Sequence, residues 1–232
     1  MGSSSRARLS RRARARAAAE DGFTLTELIV VMAILLIVVT TLSSVLVSAT
    51  HTEVDANKRF QAQEQARTGL AQLTRELHCA GQTSGNSITD TSGNALTPGT
   101  AYSAVTMQLS SGCPTSGGQA VYVTWCTAAS TLTTGDFALY RVTSTALPRP
   151  TCSTAGKVKW MDYLQPTAGS NPTWSTPFCL PSTTAACGGV LKPATSLPIL
   201  HVTFPVNVNG PSSTIDTYNV VDDIALRNGA RS

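Results

Sequence analysis

The sequence predicts an α+β chain: one long N-terminal helix, then an antiparallel β-sheet head with disulfide-tied loops. Three observations predict it. From Leu28 to Ala49 no residue is charged. Beyond that run, Ala66, Leu70, Leu73 and Leu77 recur at helical spacing and make one apolar stripe. After residue 100, β-branched and aromatic runs alternate with Gly-, Pro- and Ser-rich breaks.

Residues 1–22 come first and read as a basic leader. They hold Arg6, Arg8, Arg11, Arg12, Arg14 and Arg16 against Glu20 and Asp21. The chain has 17 Lys and Arg and 13 Asp and Glu, so residues 23–232 carry 11 of each. The excess positive charge therefore lies in the leader alone. Arginines placed just before an apolar helix hold that end in the cytoplasm. A neutral remainder offers little long-range attraction to nucleic acid, which needs clustered cations on phosphate.

Residues 23–50 read as a membrane-spanning helix. At 1.5 Å per residue, the charge-free run is about 33 Å long, enough to cross a bilayer's hydrocarbon. Leu28–Val39 is apolar throughout, while Thr40, Thr41, Ser43, Ser44 and Ser48 soften the second half. Such hydroxyls bond back to their own helix and are tolerated in lipid. A secretory signal peptide would end in a small-x-small cleavage site, and Ser48-Ala49 is a poor version of one. Glu27 is out of place in a plain anchor. A carboxylate at bilayer depth costs about 3 kcal/mol and needs a cationic partner, although a helix N-terminus favours an acid slightly.

Residues 51–80 form an amphipathic stem. Asp55 and Arg59 lie four apart with the acid first, a favourable helix pair. Gly81 is the expected C-cap. His51 and His78 are isolated and read as solvated stem residues rather than metal ligands. Residues 81–232 form the head. A turn-rich connector over 81–100 is followed by strands expected at 103–109, 119–126, 136–143, 157–164, 199–206 and 215–227. The stretch 144–198 holds eight of the twelve prolines and reads as long loops around one strand.

All six cysteines, Cys79, Cys113, Cys126, Cys152, Cys179 and Cys187, follow the apolar run, and none sits in a Cys-x-x-Cys pair. An even count in an exported, loop-rich domain reads as disulfides. Cys113 with Cys126 and Cys179 with Cys187 would each close a short loop, which leaves Cys79 for Cys152.

The string Gly22-Phe23-Thr24-Leu25-Thr26-Glu27-Leu28, set between a basic leader and an apolar run, resembles the cleavage and methylation motif of type IV prepilins. The resemblance covers roughly residues 15–50. It implies a pilin-like fold and cleavage after Gly22 by a prepilin peptidase on the cytoplasmic side. It also implies N-methylation of the new terminus at Phe23. Glu27 then holds the family's fifth-position glutamate, whose carboxylate meets the new amine of a neighbouring subunit. Losing either partner would strand a buried charge. The implied product is a minor pilin or pseudopilin of a type IV pilus, a type II secretion pseudopilus or a competence pilus. It would be held by a single membrane pass with the head outside, and assembled with other pilin subunits by the pilus machinery. Ser44 stands where the family's major members often carry a helix-kinking proline. The closing stretch Val220–Asn228 is similar to the last strand of minor pilins and pseudopilins. Because some pseudopilins bind calcium, Asp216, Asp222 and Asp223 are candidate ligands. The plainer reading is that they are solvated surface carboxylates.

No cofactor and no catalysis are expected. The chain lacks a P-loop and the patterns GxGxxG, GxSxG and HExxH. Asp222 and Asp223 are adjacent on a strand and point to opposite faces, so they do not form an acid/base pair. Two rival readings remain. A pilus-associated adhesin or DNA-binding pilin predicts a basic or aromatic patch on the head. There Trp125, Trp160, Trp174 and Tyr122 would stack on a ligand rather than pack. A membrane-anchored binding domain or enzyme that never assembles predicts a convergent polar site and indifference to Glu27.

Overall fold

The computed structural model describes residues 24–81, 88–131, 135–166, 176–193, 197–208 and 217–226. One helix, α1 (Leu25–Cys79), is followed by nine strands: β1 (Ala80–Gly81), β2 (Ala101–Tyr102), β3 (Ala104–Leu109), β4 (Val121–Ala129), β5 (Phe137–Ser144), β6 (Val158–Leu164), β7 (Phe178–Cys179), β8 (Ile199–Val206) and β9 (Tyr218–Ala225). The fold is α+β and pilin-like, with disulfides in the head. The chain divides into two compact units, Met1–Val54 and Asp55–Ser232.

In the first unit, α1 runs without interruption through Ser44. Its hydroxyls bond back as their chemistry predicts. Thr40 Oγ1 donates to Leu36 O and Thr41 Oγ1 to Ile37 O, at 2.9 and 3.0 Å. Ser44 Oγ donates to Thr41 O at 2.8 Å. These three hydroxyls are thereby satisfied without water.

In the second unit, the strands form one antiparallel sheet in the order β1-β3-β4-β5-β6-β8-β7-β2, and β9 pairs with β8. β9 occupies one edge of β8 from Ile199 to Val206. The other edge is shared between β6 at Val206 and β7 at His201 and Val202. All six expected strands are present, shifted by a few residues at their ends. β1, β2 and β7 have two residues each, too short to carry a hydrophobic period.

The stem part of α1 buries Ala62, Ala66, Gly69, Leu73, Glu76 and Leu77. Ala62, Ala66, Leu73 and Leu77 pack in one core with Val105, Met107, Val123, Trp125, Leu139 and Met161. Burying Leu73 and Leu77 fully is worth about 2 kcal/mol each. Alternate residues of β4 and β5 face the other way. Cys126, Ala138, Tyr140 and Val142 make a second small core there. The β5–β6 connection crosses that face: Pro150 O accepts from Thr124 Oγ1 at 2.6 Å, and Cys152 bonds Cys126.

The structure corrects three expectations. Among the described residues the stretch 144–198 holds two strands, β6 and the short β7, rather than one. Gly81 is not a left-handed C-cap; it continues into β1 and pairs with Gln108. The cysteines pair as Cys79–Cys113, Cys126–Cys152 and Cys179–Cys187. Only the last matches the loop-length argument. Cys126 faces Ala104 at the start of β3, while Cys113 lies beyond Leu109 at its end. Five residues of strand separate those levels by about 17 Å, far beyond the reach of a disulfide. Ala80 faces Leu109 instead, and this brings Cys79 beside Cys113.

Candidate functional site

The start of α1 is built by its own sequence. Thr24 is the N-cap: Leu28 N donates to Thr24 O at 3.1 Å, and Glu27 N donates to Thr24 Oγ1 at 3.3 Å. Thr24-Leu25-Thr26-Glu27 thus has the spacing of a capping box, with the acid three residues after the cap. Glu27 lies in the first turn, at the positive end of the helix dipole. Gly22 and Phe23, the expected cleavage and methylation positions, lie outside the described residues.

From Thr24 to Val54 every residue is exposed. An 18-residue window of α1 has a mean hydropathy of 2.8, and none of it is buried among the described residues. A helix apolar on all sides needs lipid or other helices around it. Such a surface fits membrane anchoring, and it fits packing against like helices.

The head's aromatic side chains are spent internally. Trp125 is fully buried and lies 5.6 Å from Trp160, ring centre to ring centre. Arg149 covers the Tyr122 ring at 5.4 Å, and Lys157 covers Tyr140 at 4.4 Å. Trp174 lies outside the described residues. The aromatic rings expected to stack on a ligand in the rival reading are thus packed or covered where described.

The carboxylates named as calcium candidates do not converge. Asp222 Oδ1 accepts from Asp223 N at 2.9 Å, while Asp223 Oδ1 meets His201 Nδ1 at 2.7 Å. Asp216 lies outside the described residues. Among the described residues no group of three or more His, Cys, Asp or Glu side chains could hold a metal ion.

Sequence reasoning missed two polar constellations. Glu76 sits in the stem's buried stripe and accepts from Trp125 Nε1 and Arg141 Nε. An acid in an apolar stripe was the available signal. His201 and Thr203 lie two apart on β8 and so share a face. Their partner Asp223 is 22 residues away, beyond the reach of a local pattern.

The family model for the prokaryotic N-terminal methylation motif matches residues 18–43. Neither a curated protein nor a solved structure matches the chain. The matched segment contains Gly22, Phe23, Glu27 and most of the apolar run. The chain therefore carries the prepilin-type signature at the head of an α+β, pilin-like fold.

Proposed function

We propose that the chain is a minor pilin or pseudopilin, a structural subunit of a type IV pilus, secretion pseudopilus or competence pilus. The prepilin peptidase cuts after Gly22 and the new amine of Phe23 is methylated. The subunit stays in the inner membrane through α1 with its head outside, and joins the fibre by packing α1 against other subunits. The observation that carries this reading is the conjunction of the methylation motif at residues 18–43 with a helix whose apolar window is unburied among the described residues.

Glu27 has a specific task in this account. Its carboxylate and the Phe23 amine of a neighbour are each expensive in hydrocarbon, and each offsets the other's cost when they meet. Glu27→Gln keeps the helix and the cleavage position but removes the charge. The expected result is a processed, membrane-held subunit that fails to enter sheared fibres. Incorporation at the parent's level would contradict the reading.

A further inference from the structure

On the face of the β8–β9 pair that also carries Asp223, three side chains form a relay. Asp223 Oδ1 lies 2.7 Å from His201 Nδ1, and His201 Nε2 lies 3.0 Å from Thr203 Oγ1. The order of protons follows from the chemistry. A carboxylate only accepts, so Nδ1 carries a hydrogen toward Asp223. In the neutral ring Nε2 is then bare and accepts the Thr203 hydroxyl proton. His201 is 4% exposed, while Thr203 is half-buried and the Asp223 side chain is 44% exposed.

The fold fixes this arrangement. His201 and Asp223 are direct cross-strand partners, and Thr203 is the next residue on the same face of β8. A tight turn, Cys187-Gly188-Gly189-Val190, lies beside the ring. Both glycines have positive φ, 57° and 86°, and the Cys187 and Val190 amides exchange hydrogen bonds of 2.9 Å. A Cβ on Gly188 would lie 3.1 Å from His201 Nε2. Glycine therefore serves both the turn's left-handed backbone and its close approach to the base. The amides of Gly188 and Gly189 donate to no acceptor among the described residues. The Cys179–Cys187 disulfide pins this turn to β7, itself paired with β8 at His201.

The geometry points to a nucleophile–base–acid relay of the acyl-transfer type, with Thr203 as the nucleophile and small carboxylic esters as the substrate class. Thr203 Oγ1 attacks the ester carbonyl carbon and its proton passes to His201 Nε2. The new Oγ–C bond forms, the ester C–O bond breaks, and the leaving alkoxide takes the proton from Nε2. Water then attacks the acyl-threonine and gives a proton to His201 Nε2; the acyl C–Oγ bond breaks, Thr203 Oγ1 takes that proton back, and the carboxylic acid leaves. Gly188 N–H and Gly189 N–H, which have no acceptor among the described residues, are assigned as the donors for the oxyanion. Asp223 is a positioning residue: it holds the His201 tautomer. This activity does not depend on the fibre reading.

The test uses the full chain in detergent micelles, a fluorophosphonate probe and p-nitrophenyl acetate, with adducts located by peptide mass spectrometry. A single covalent adduct on Thr203 is expected. Thr203→Val abolishes it, and His201→Gln slows it by roughly a hundredfold. Asp223→Asn slows it as well, and Asp223→Glu restores part of the rate. Because a variant can misfold, each is checked for the three native disulfides. Thr203→Ser, which keeps the hydroxyl, provides the second arm and labels at least as fast as the parent. Absence of an adduct on Thr203 at saturating probe overturns the proposal. So does labelling of His201→Gln at the parent's rate, or failure of Thr203→Ser to label.

Discussion

Glu76 Oε2 accepts a 2.7 Å hydrogen bond from Trp125 Nε1, and both side chains are wholly buried. Its other oxygen, Oε1, pairs with Arg141 Nε at 2.8 Å and accepts from Gln72 Nε2 at 2.8 Å. Trp125 and Arg141 are register partners on β4 and β5. One carboxylate on the stem thus binds two adjacent central strands.

Removing that carboxylate strands a nearly buried guanidinium and an indole N–H. Glu76→Ala is expected to cost about 4 kcal/mol, lowering the thermal midpoint by roughly 10 °C. Glu76→Leu combined with Arg141→Met removes both charges and recovers most of that loss. Calorimetry on the full chain in detergent checks it. Equal destabilisation by the single and double variants would contradict the ion-pair account.

The disulfides have unequal leverage. The Cys79–Cys113 bond closes 34 residues and Cys179–Cys187 closes 8. Chain-entropy estimates give about 4 and about 2.5 kcal/mol. Replacing Cys79 and Cys113 together by Ala therefore destabilises more than the same change at Cys179 and Cys187. Non-reducing peptide maps are expected to link 79 with 113, 126 with 152 and 179 with 187. A 113–126 link would refute the sheet register.

Asp90 closes a small turn. Burial alone would raise its pKa, but hydrogen bonds from Asn94, Ser92 and Gly93 outweigh that and hold it below the ordinary value of 3.8. The folded pKa is depressed, so its contribution is present above the unfolded value and is lost as pH falls through the folded one. Asp90→Ala should speed amide exchange at Ser92 and Asn94 near neutral pH. In the parent the same amides should loosen only in acid, below about 3.8.

Tyr218 behaves oppositely. Burial pushes its hydroxyl pKa up, and its oxygen has no hydrogen-bond partner among the described residues. Because the folded pKa is raised, ionisation of this group leaves stability unchanged below the unfolded tyrosine value near 10 and lowers it as pH rises from there through the folded one. Tyr218→Phe removes an unmatched polar atom, so it is expected to stabilise by up to about 1 kcal/mol. A clear loss of stability in denaturant titrations would show that the hydroxyl is paired.

The elements that sequence alone predicts are those with a strong period. The apolar run and the stem stripe give α1, and β-branched runs give the six longer strands. What escapes is set by contact rather than pattern. Ala80 and Gly81 look like a helix end, yet they join the sheet because β3 offers an unpaired edge. Loop length misassigns Cys113 and Cys126 because register outranks proximity in sequence. Glu76 is tolerated in the core only because Trp125 and Arg141 arrive from strands about 50 and 65 residues away. At the N-terminus the reverse holds: the chemistry of residues 22–28 is contiguous, so a local motif carries it. Thr24 adds a capping role that the motif itself does not require.

The most direct test of the central claim is the mass of the native polypeptide's N-terminal peptide, taken from membranes. The account predicts a chain that starts at Phe23 with one added methyl on its amine and still contains Leu25–Cys79. A mature protein that retains Met1 or Arg12 would contradict it, because no amine would then exist at Phe23 for Glu27 to meet.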